Sequence, residues 1–362
     1  MTGKERMIAA LDRKVPDHLP ATTHHLMETF LKAEMNGCSN LEFFEQMGLD
    51  PIVWIGADVF TQEQKDNWRI EREEIPATDY RTEKVYYHTP EKTFSITNKY
   101  DVHTTWQTES LLKDKKDIEL IERYWPIPTI DKAVIEQAAK DHPDCLIRGS
   151  MFGFYQPGCW QDLCGFYGVQ NIIMETFDDP EWVKEALSII QKKKLQYADA
   201  MEGCPFDVIE TGGGDASTTV ISPAIFEEFV APYDSAVIKR MQEKGQRVVY
   251  HTCGGMMPIL EQLADMGPNA LETFTPEGMG GDADLARAKK RIGDRVCMIG
   301  GFDQFHYFNG CTPEDTRKYV RRCFEEAGEG GGFILSPSDH FFQADLALIR
   351  AFADEAKACI YK

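Results

Sequence analysis

Eight short apolar runs, rich in β-branched residues and mostly separated by helical patterns, constrain this chain more than any other feature. Strands read near 19–24, 51–57, 145–152, 206–211, 247–252, 270–274, 295–299 and 333–336. The helices between them carry start and stop signals. Thr2 and Glu5 form a capping box for a first helix. Asp179-Pro180-Glu181 pairs a side-chain cap with proline at the first helical position, ahead of a stripe of Trp182, Val183, Ala186, Leu187 and Ile190. Ser222-Pro223 and Thr312-Pro313 repeat the device, and Gly267 closes a short helix over 257–266. Strand alternating with helix predicts an α/β fold, a (β/α)8 barrel. The competitor is an open doubly wound sheet, but no G-x-G-x-x-G follows the first strand. Residues 1–362 read as one domain. Residues 68–107 break the rhythm with alternating pieces at 84–87, 93–97 and 102–106, which predict an antiparallel β-meander inserted after strand 2.

Charge narrows the partners. The chain has 59 acidic and 39 basic side chains, a formal charge of −20. That balance argues against nucleic acid and against anionic membrane surfaces. No run of about 18 apolar residues is present, so no transmembrane helix is expected. The first residues lack an apolar signal core, and the ten cysteines lack framework spacing. A cytoplasmic protein with reduced thiols is the expectation. Oligomeric state, including a homo-oligomer, is left open.

In such a barrel, chemistry gathers at the C-terminal ends of the strands. The fifth strand runs into His251-Thr252-Cys253-Gly254-Gly255. Residues i and i+2 of a strand share a face, so the imidazole of His251 and the thiol of Cys253 project together. Glu272 follows on the next strand, and Asp339 and His340 follow the last. Nitrogen, sulfur and oxygen donors with an open position suit zinc better than magnesium or calcium. Plainer roles are also open: Glu272 paired with a barrel Arg or Lys, Asp339 capping its turn, His340 packing beside Phe341 and Phe342. Gly212-Gly213-Gly214 after the fourth strand permits close backbone approach by a ligand, or a tight turn. Aromatic runs at 152–160, 302–308 and 341–342 line a pocket or fill the core. There is no G-x-S-x-G elbow, no phosphate loop and no D-x-H-x-x-G cobalamin motif.

These residues resemble the uroporphyrinogen decarboxylase superfamily, and within it the corrinoid-dependent methyltransferase branch. The resemblance runs along nearly the whole chain from Lys4-Glu5-Arg6-Met7. It is most specific in Ile221-Ser222-Pro223-Ala224-Ile225-Phe226, His251-Thr252-Cys253-Gly254, Ile299-Gly300-Gly301 and Gly331-Gly332-Phe333-Ile334-Leu335-Ser336-Pro337. It implies a TIM barrel. The decarboxylases carry a basic R-Q-A-G-R segment after strand 1; here Thr22-Thr23-His24-His25-Leu26-Met27 contains no arginine. The methyltransferase branch carries a zinc-binding H-x-C, matched by His251 and Cys253. Its thiol-methylating members place a further Cys after strand 8, where this chain has Asp339. Glu272 lies where cobalamin-independent methionine synthase supplies a carboxylate ligand.

The resemblance implies methyl transfer between a small substrate and the cobalt of a corrinoid on a separate protein. Exchange of a thiolate ligand for a carboxylate leans toward methoxylated aromatics and an O-demethylase component. The proton donor to a leaving oxygen is then sought among His24, His25, Asp58 and Asp215. The alternatives are a methylcorrinoid:thiol methyltransferase, a porphyrinogen decarboxylase and a non-catalytic binding barrel.

Overall fold

The computed structural model describes residues 1–361 apart from positions 24 and 78. Its strands are β1 (Ile52–Trp54), β2 (Asp58–Val59), β3 (Arg69–Ile75), β4 (Arg81–His88), β5 (Thr93–Tyr100), β6 (Thr105–Glu109), β7 (Thr129–Ile130), β8 (Leu146–Ser150), β9 (Val208–Gly212), β10 (Val248–His251), β11 (Ala270–Thr273), β12 (Cys297–Phe302) and β13 (Phe333–Pro337). Strands β1 and β8 to β13 form one curled parallel sheet in chain order. The curl is completed by the residues around Ala21, which bridges Leu335 in parallel. On that side the Thr22 amide donates to Leu335 and the Leu335 amide to Pro20; on the other, the Asp50 amide donates to Ala21. Eight staves with helices outside give the expected (β/α)8 barrel.

The first stave departs from expectation. In place of a strand over 19–24, Ala21 alone enters the ladder. Pro20 has no amide to give. The Ala21 amide goes to the Asp50 carboxylate at 3.0 Å, and the Thr22 hydroxyl to the Asp50 carbonyl at 2.7 Å. Side-chain hydrogen bonds replace the backbone pairs that would have made a strand. His24 lies outside the described residues.

The meander is present with four strands, β3-β4-β5-β6. The expected pieces at 84–87 and 93–97 fall in β4 and β5. Of the third piece only Thr105 and Trp106 are strand. Before them the Asp101 carboxylate accepts the amides of His103 and Thr104, which folds that stretch into a turn. The unexpected strand β3 has the sequence RIEREEI, almost wholly exposed, so it lacks the alternation that marks a half-buried strand. Ring contacts Tyr87–Phe154 (5.5 Å) and His103–Phe342 (4.4 Å) lay the meander on the loops after β8 and β13. It therefore sits over the C-terminal rim of the barrel.

The helix starts follow the local signals. Thr2 caps Gly3–Leu11 through a full capping box, Asp179 caps Pro180–Ala200, Ser222 caps Pro223–Ile225 and Thr312 caps Pro313–Ala327. Gly267 takes the left-handed conformation at φ +83° after Leu260–Asp265.

Strand alternation divides the barrel interior into two layers. Ile52, Leu146, Val208, Val249, Ile299 and Ile334 line a small apolar space, which Met7 and Leu11 of the first helix close from below. Two residues further along, Arg148, Glu210 and His251 occupy the layer toward the C-terminal rim. Met7 is fully buried in the lower layer, whereas Met174 on an outer helix is 58% exposed. Met7→Ala is expected to cost about 2–5 kcal/mol in urea unfolding, and Met174→Ala within ~0.5 kcal/mol of zero.

Candidate active site

The upper layer is built around one cation. Arg148 on β8 is 2% exposed. Its guanidinium bonds both oxygens of Glu272 on β11, Nη1 to Oε2 at 3.1 Å and Nη2 to Oε1 at 2.5 Å, and Nη2 also reaches Glu210 on β9 at 2.5 Å. Its plane lies 4.5 Å from the ring centre of Trp54. His251 on β10 stands in register with Glu272. Its Nδ1 lies 3.0 Å from Glu272 Oε1. A buried carboxylate survives only when paired and hydrogen-bonded, and Glu272, fully buried, has both. The pairing of Glu272 with a barrel arginine, open from the sequence, is thus present.

Burial by itself would strip the proton from His251. Hydrogen bonds to Cys253 and Glu272 and the field of Glu210 outweigh it, and the pKa is raised well above the ordinary histidine value.

Cys253 lies just past the end of β10, half-buried and within hydrogen-bonding reach of His251. The glycine run after β9 makes room for it. A Cβ on Gly214 would stand 2.7 Å from Cys253 Sγ, and one on Gly213 2.4 Å from the Gln161 side chain. Gly212, at φ +103°, would place a Cβ 2.4 Å from the His251 carbonyl. These three glycines, read as approach points for a ligand, are filled by the protein's own atoms.

The other expected residues lie around this core. His25 stacks on Trp54 at 5.1 Å and meets the His340 ring edge-on at 5.0 Å. Burial, then the charges of Arg148 and His340, push its pKa down to about 3. Asp215 accepts a 2.7 Å hydrogen bond from Gln161, and burial raises its pKa against that bond. Asp58 accepts the Tyr197 hydroxyl; burial likewise raises its pKa against that bond. Asp339 is exposed, and its Oδ1 accepts the His340 amide at 2.7 Å, a local turn cap.

Among the described residues, Glu210, His251 and Glu272 offer ligand atoms within 4.8 Å of one another. The Cys253 thiol stands beside this cluster, within hydrogen-bonding reach of His251. That donor set fits zinc, and Arg148 orients the carboxylates as an outer partner. Arg148 and Glu210 were not singled out as site residues from sequence. The signal was there: a lone charge inside each of the apolar runs Leu146-Ile147-Arg148 and Val208-Ile209-Glu210.

Arg148→Met removes the guanidinium that two buried carboxylates share. A loss of about 3–5 kcal/mol is expected at pH 7 by urea unfolding, partly recovered when Glu210→Gln and Glu272→Gln are added. His25 sets a second expectation. Its folded pKa of about 3 lies below the ordinary 6.5, so the unfolded chain takes up the proton first. Stability is therefore full above the unfolded pKa and falls as pH drops through this window. The urea midpoint of His25→Gln is expected to decline less over the same range.

Residues 159–359 match the profile of the family described as uroporphyrinogen decarboxylase (URO-D). The chain is 31% identical over 134 residues to a uroporphyrinogen decarboxylase of Neisseria meningitidis serogroup C, a segment covering 36% of this chain and 34% of that protein. It is 30% identical over 212 residues to the methylcobamide:CoM methyltransferase MtaA of Methanosarcina barkeri, covering 58% of this chain and 57% of that one. The matched segments thus span about a third to just over half of these relatives. A solved methyltransferase from Methanosarcina mazei shares the fold with a TM-score of 0.65 at 19% identity, covering 99% of both chains. With its profile matched over more than half of its length, the chain belongs to the uroporphyrinogen decarboxylase family.

Proposed function

We propose that this protein is a corrinoid-dependent methyltransferase component. It moves a methyl group between a small substrate and the cobalt of a corrinoid held by a partner protein. The observation that carries this reading is the cluster of Glu210, His251 and Glu272 at the rim layer, braced by Arg148, with Cys253 within hydrogen-bonding reach of His251. Similarity to the M. barkeri methylcobamide:CoM methyltransferase supports it. The decarboxylase reading lacks the arginines after the first stave, where Thr22 and Thr23 stand.

His251, Cys253 and Glu272 would hold zinc, with Glu210 beside them; Asp339 stands apart as an exposed turn cap. The chemistry zinc supplies in such a site is Lewis acidity toward a substrate heteroatom. The chain's own residues do the rest. Arg148 holds Glu272 by both carboxylate oxygens and fixes its direction. Trp54 and His25 wall the layer, and the meander over the rim restricts access for water. The candidate proton donors are Asp58 and Asp215, each a carboxyl raised by burial and bonded to one partner, Tyr197 and Gln161 respectively; His25 is held neutral by its surroundings. With Asp339 where thiol-methylating members have a further cysteine, the centre has one sulfur donor fewer, which leans toward oxygen-bound methyl donors, with a methoxylated aromatic as substrate and O-demethylation as the reaction. The second reading is transfer to a thiol, favoured by the thiol acceptor in the name of the M. barkeri relative.

Elemental analysis tests the centre. About one zinc per chain is expected in the wild type and a large loss in Cys253→Ala. Methyl transfer from 2-methoxyphenol to cob(I)alamin, followed by its absorbance, is expected to fall with the metal. Full-rate transfer by metal-free protein would sink the proposal.

A further inference from the structure

A cleft of about 340 Å³ opens beside the charged layer, between the loop after β1 and the loop after β8. Asp58 and Tyr197, hydrogen-bonded to each other, form its polar part, and Trp54 and Tyr155 are also in its lining. Trp54 carries Arg148 over its ring, so the cleft shares a wall with the charged layer.

Its walls specify a ligand. Tyr155 is 54% exposed, and Phe206 forms part of the lining, so ring faces are on offer. Asp58 and Tyr197 together give an acceptor and a hydroxyl in its polar part. Among the described residues, no Lys, Arg or His lines the cleft. Arg148 behind the wall is paired with Glu210 and Glu272, and Lys194 with Asp162 at 2.6 Å. An anionic ligand would bring its charge against Asp58 with no cation in the described lining to offset the loss of water. A neutral planar ring carrying a hydroxyl or ether oxygen matches both the aromatic walls and the polar part.

We infer that this cleft is the substrate site and that it selects neutral phenolic or methoxylated rings over their carboxylated counterparts, with Asp58 and Tyr197 binding the ring's polar substituent. This rests on the methyltransferase reading above and adds the charge class of the substrate.

The test is calorimetric titration of the full-length, metal-loaded protein with two probes, 2-methoxyphenol and 4-hydroxy-3-methoxybenzoate. Saturable binding is expected for the first, about tenfold tighter than for the second. Tyr197→Phe and Asp58→Asn are each expected to weaken 2-methoxyphenol about tenfold, with circular dichroism and zinc content unchanged. Tyr155→Ala separates ring contact from the polar part: it is expected to weaken both probes alike. Equal or tighter binding of the carboxylate overturns the inference. So does indifference of 2-methoxyphenol binding to Asp58→Asn in folded protein. The two readings fail separately. Zinc-dependent methyl transfer from another donor, without ring binding, removes only this inference; ring binding without any methyl transfer removes the activity.

Discussion

The guanidinium of Arg148 is the interaction on which the rim layer depends. It holds carboxylates from two non-adjacent staves, β9 and β11, across the barrel interior. A fixed cation there offsets the cost of burying two carboxylates in one dry layer. It holds Glu272 by both oxygens, in a direction that also meets His251. A charged network of this kind gives little net stability compared with a well-packed apolar layer. Its return is chemical, because it holds donor groups ready where water is scarce.

The barrel divides its labour by height. The lower layer is apolar and closed by Met7 and Leu11, so it contributes the packing that holds the staves together. The upper layer spends some of that stability on buried charge. Arg148 is flanked along β8 by Leu146, two residues away on the same inner face. The change from oil-like to ionic interior therefore occurs within one step of strand alternation. Outside, Lys194 and Asp162 form a second fully buried pair. Asp162 also accepts the amides of Phe154 and Tyr155, which fixes the loop after β8.

What was legible in the sequence was local. Helix starts at Thr2, Asp179, Ser222 and Thr312 rest on contacts within three residues, and each is present. All eight staves were readable as short apolar runs, the first over 19–24. That one contributes a single bridge at Ala21, because part of its hydrogen bonding goes to the side chain and carbonyl of Asp50, twenty-eight or more residues away. Strand β3 was hidden because its side chains face solvent and show no hydrophobic period. At the site, the H-x-C pair was visible from spacing alone. That Arg148 and Glu210 belong with it required the barrel to close, since Arg148 meets Glu272 across 124 positions of sequence. Asp339 read as a ligand because it follows the last stave, yet its carboxylate turns back to its neighbour's amide.

The first helix gives the barrel a floor as well as a core. Met7 and Leu11 stopper the end away from the chemistry, so the interior is a blind well and not a tunnel. Whatever reaches His251 arrives over the rim and must leave the same way. On the methyltransferase reading, substrate and corrinoid would share that entrance, and the substrate would have to enter before the larger group covered it.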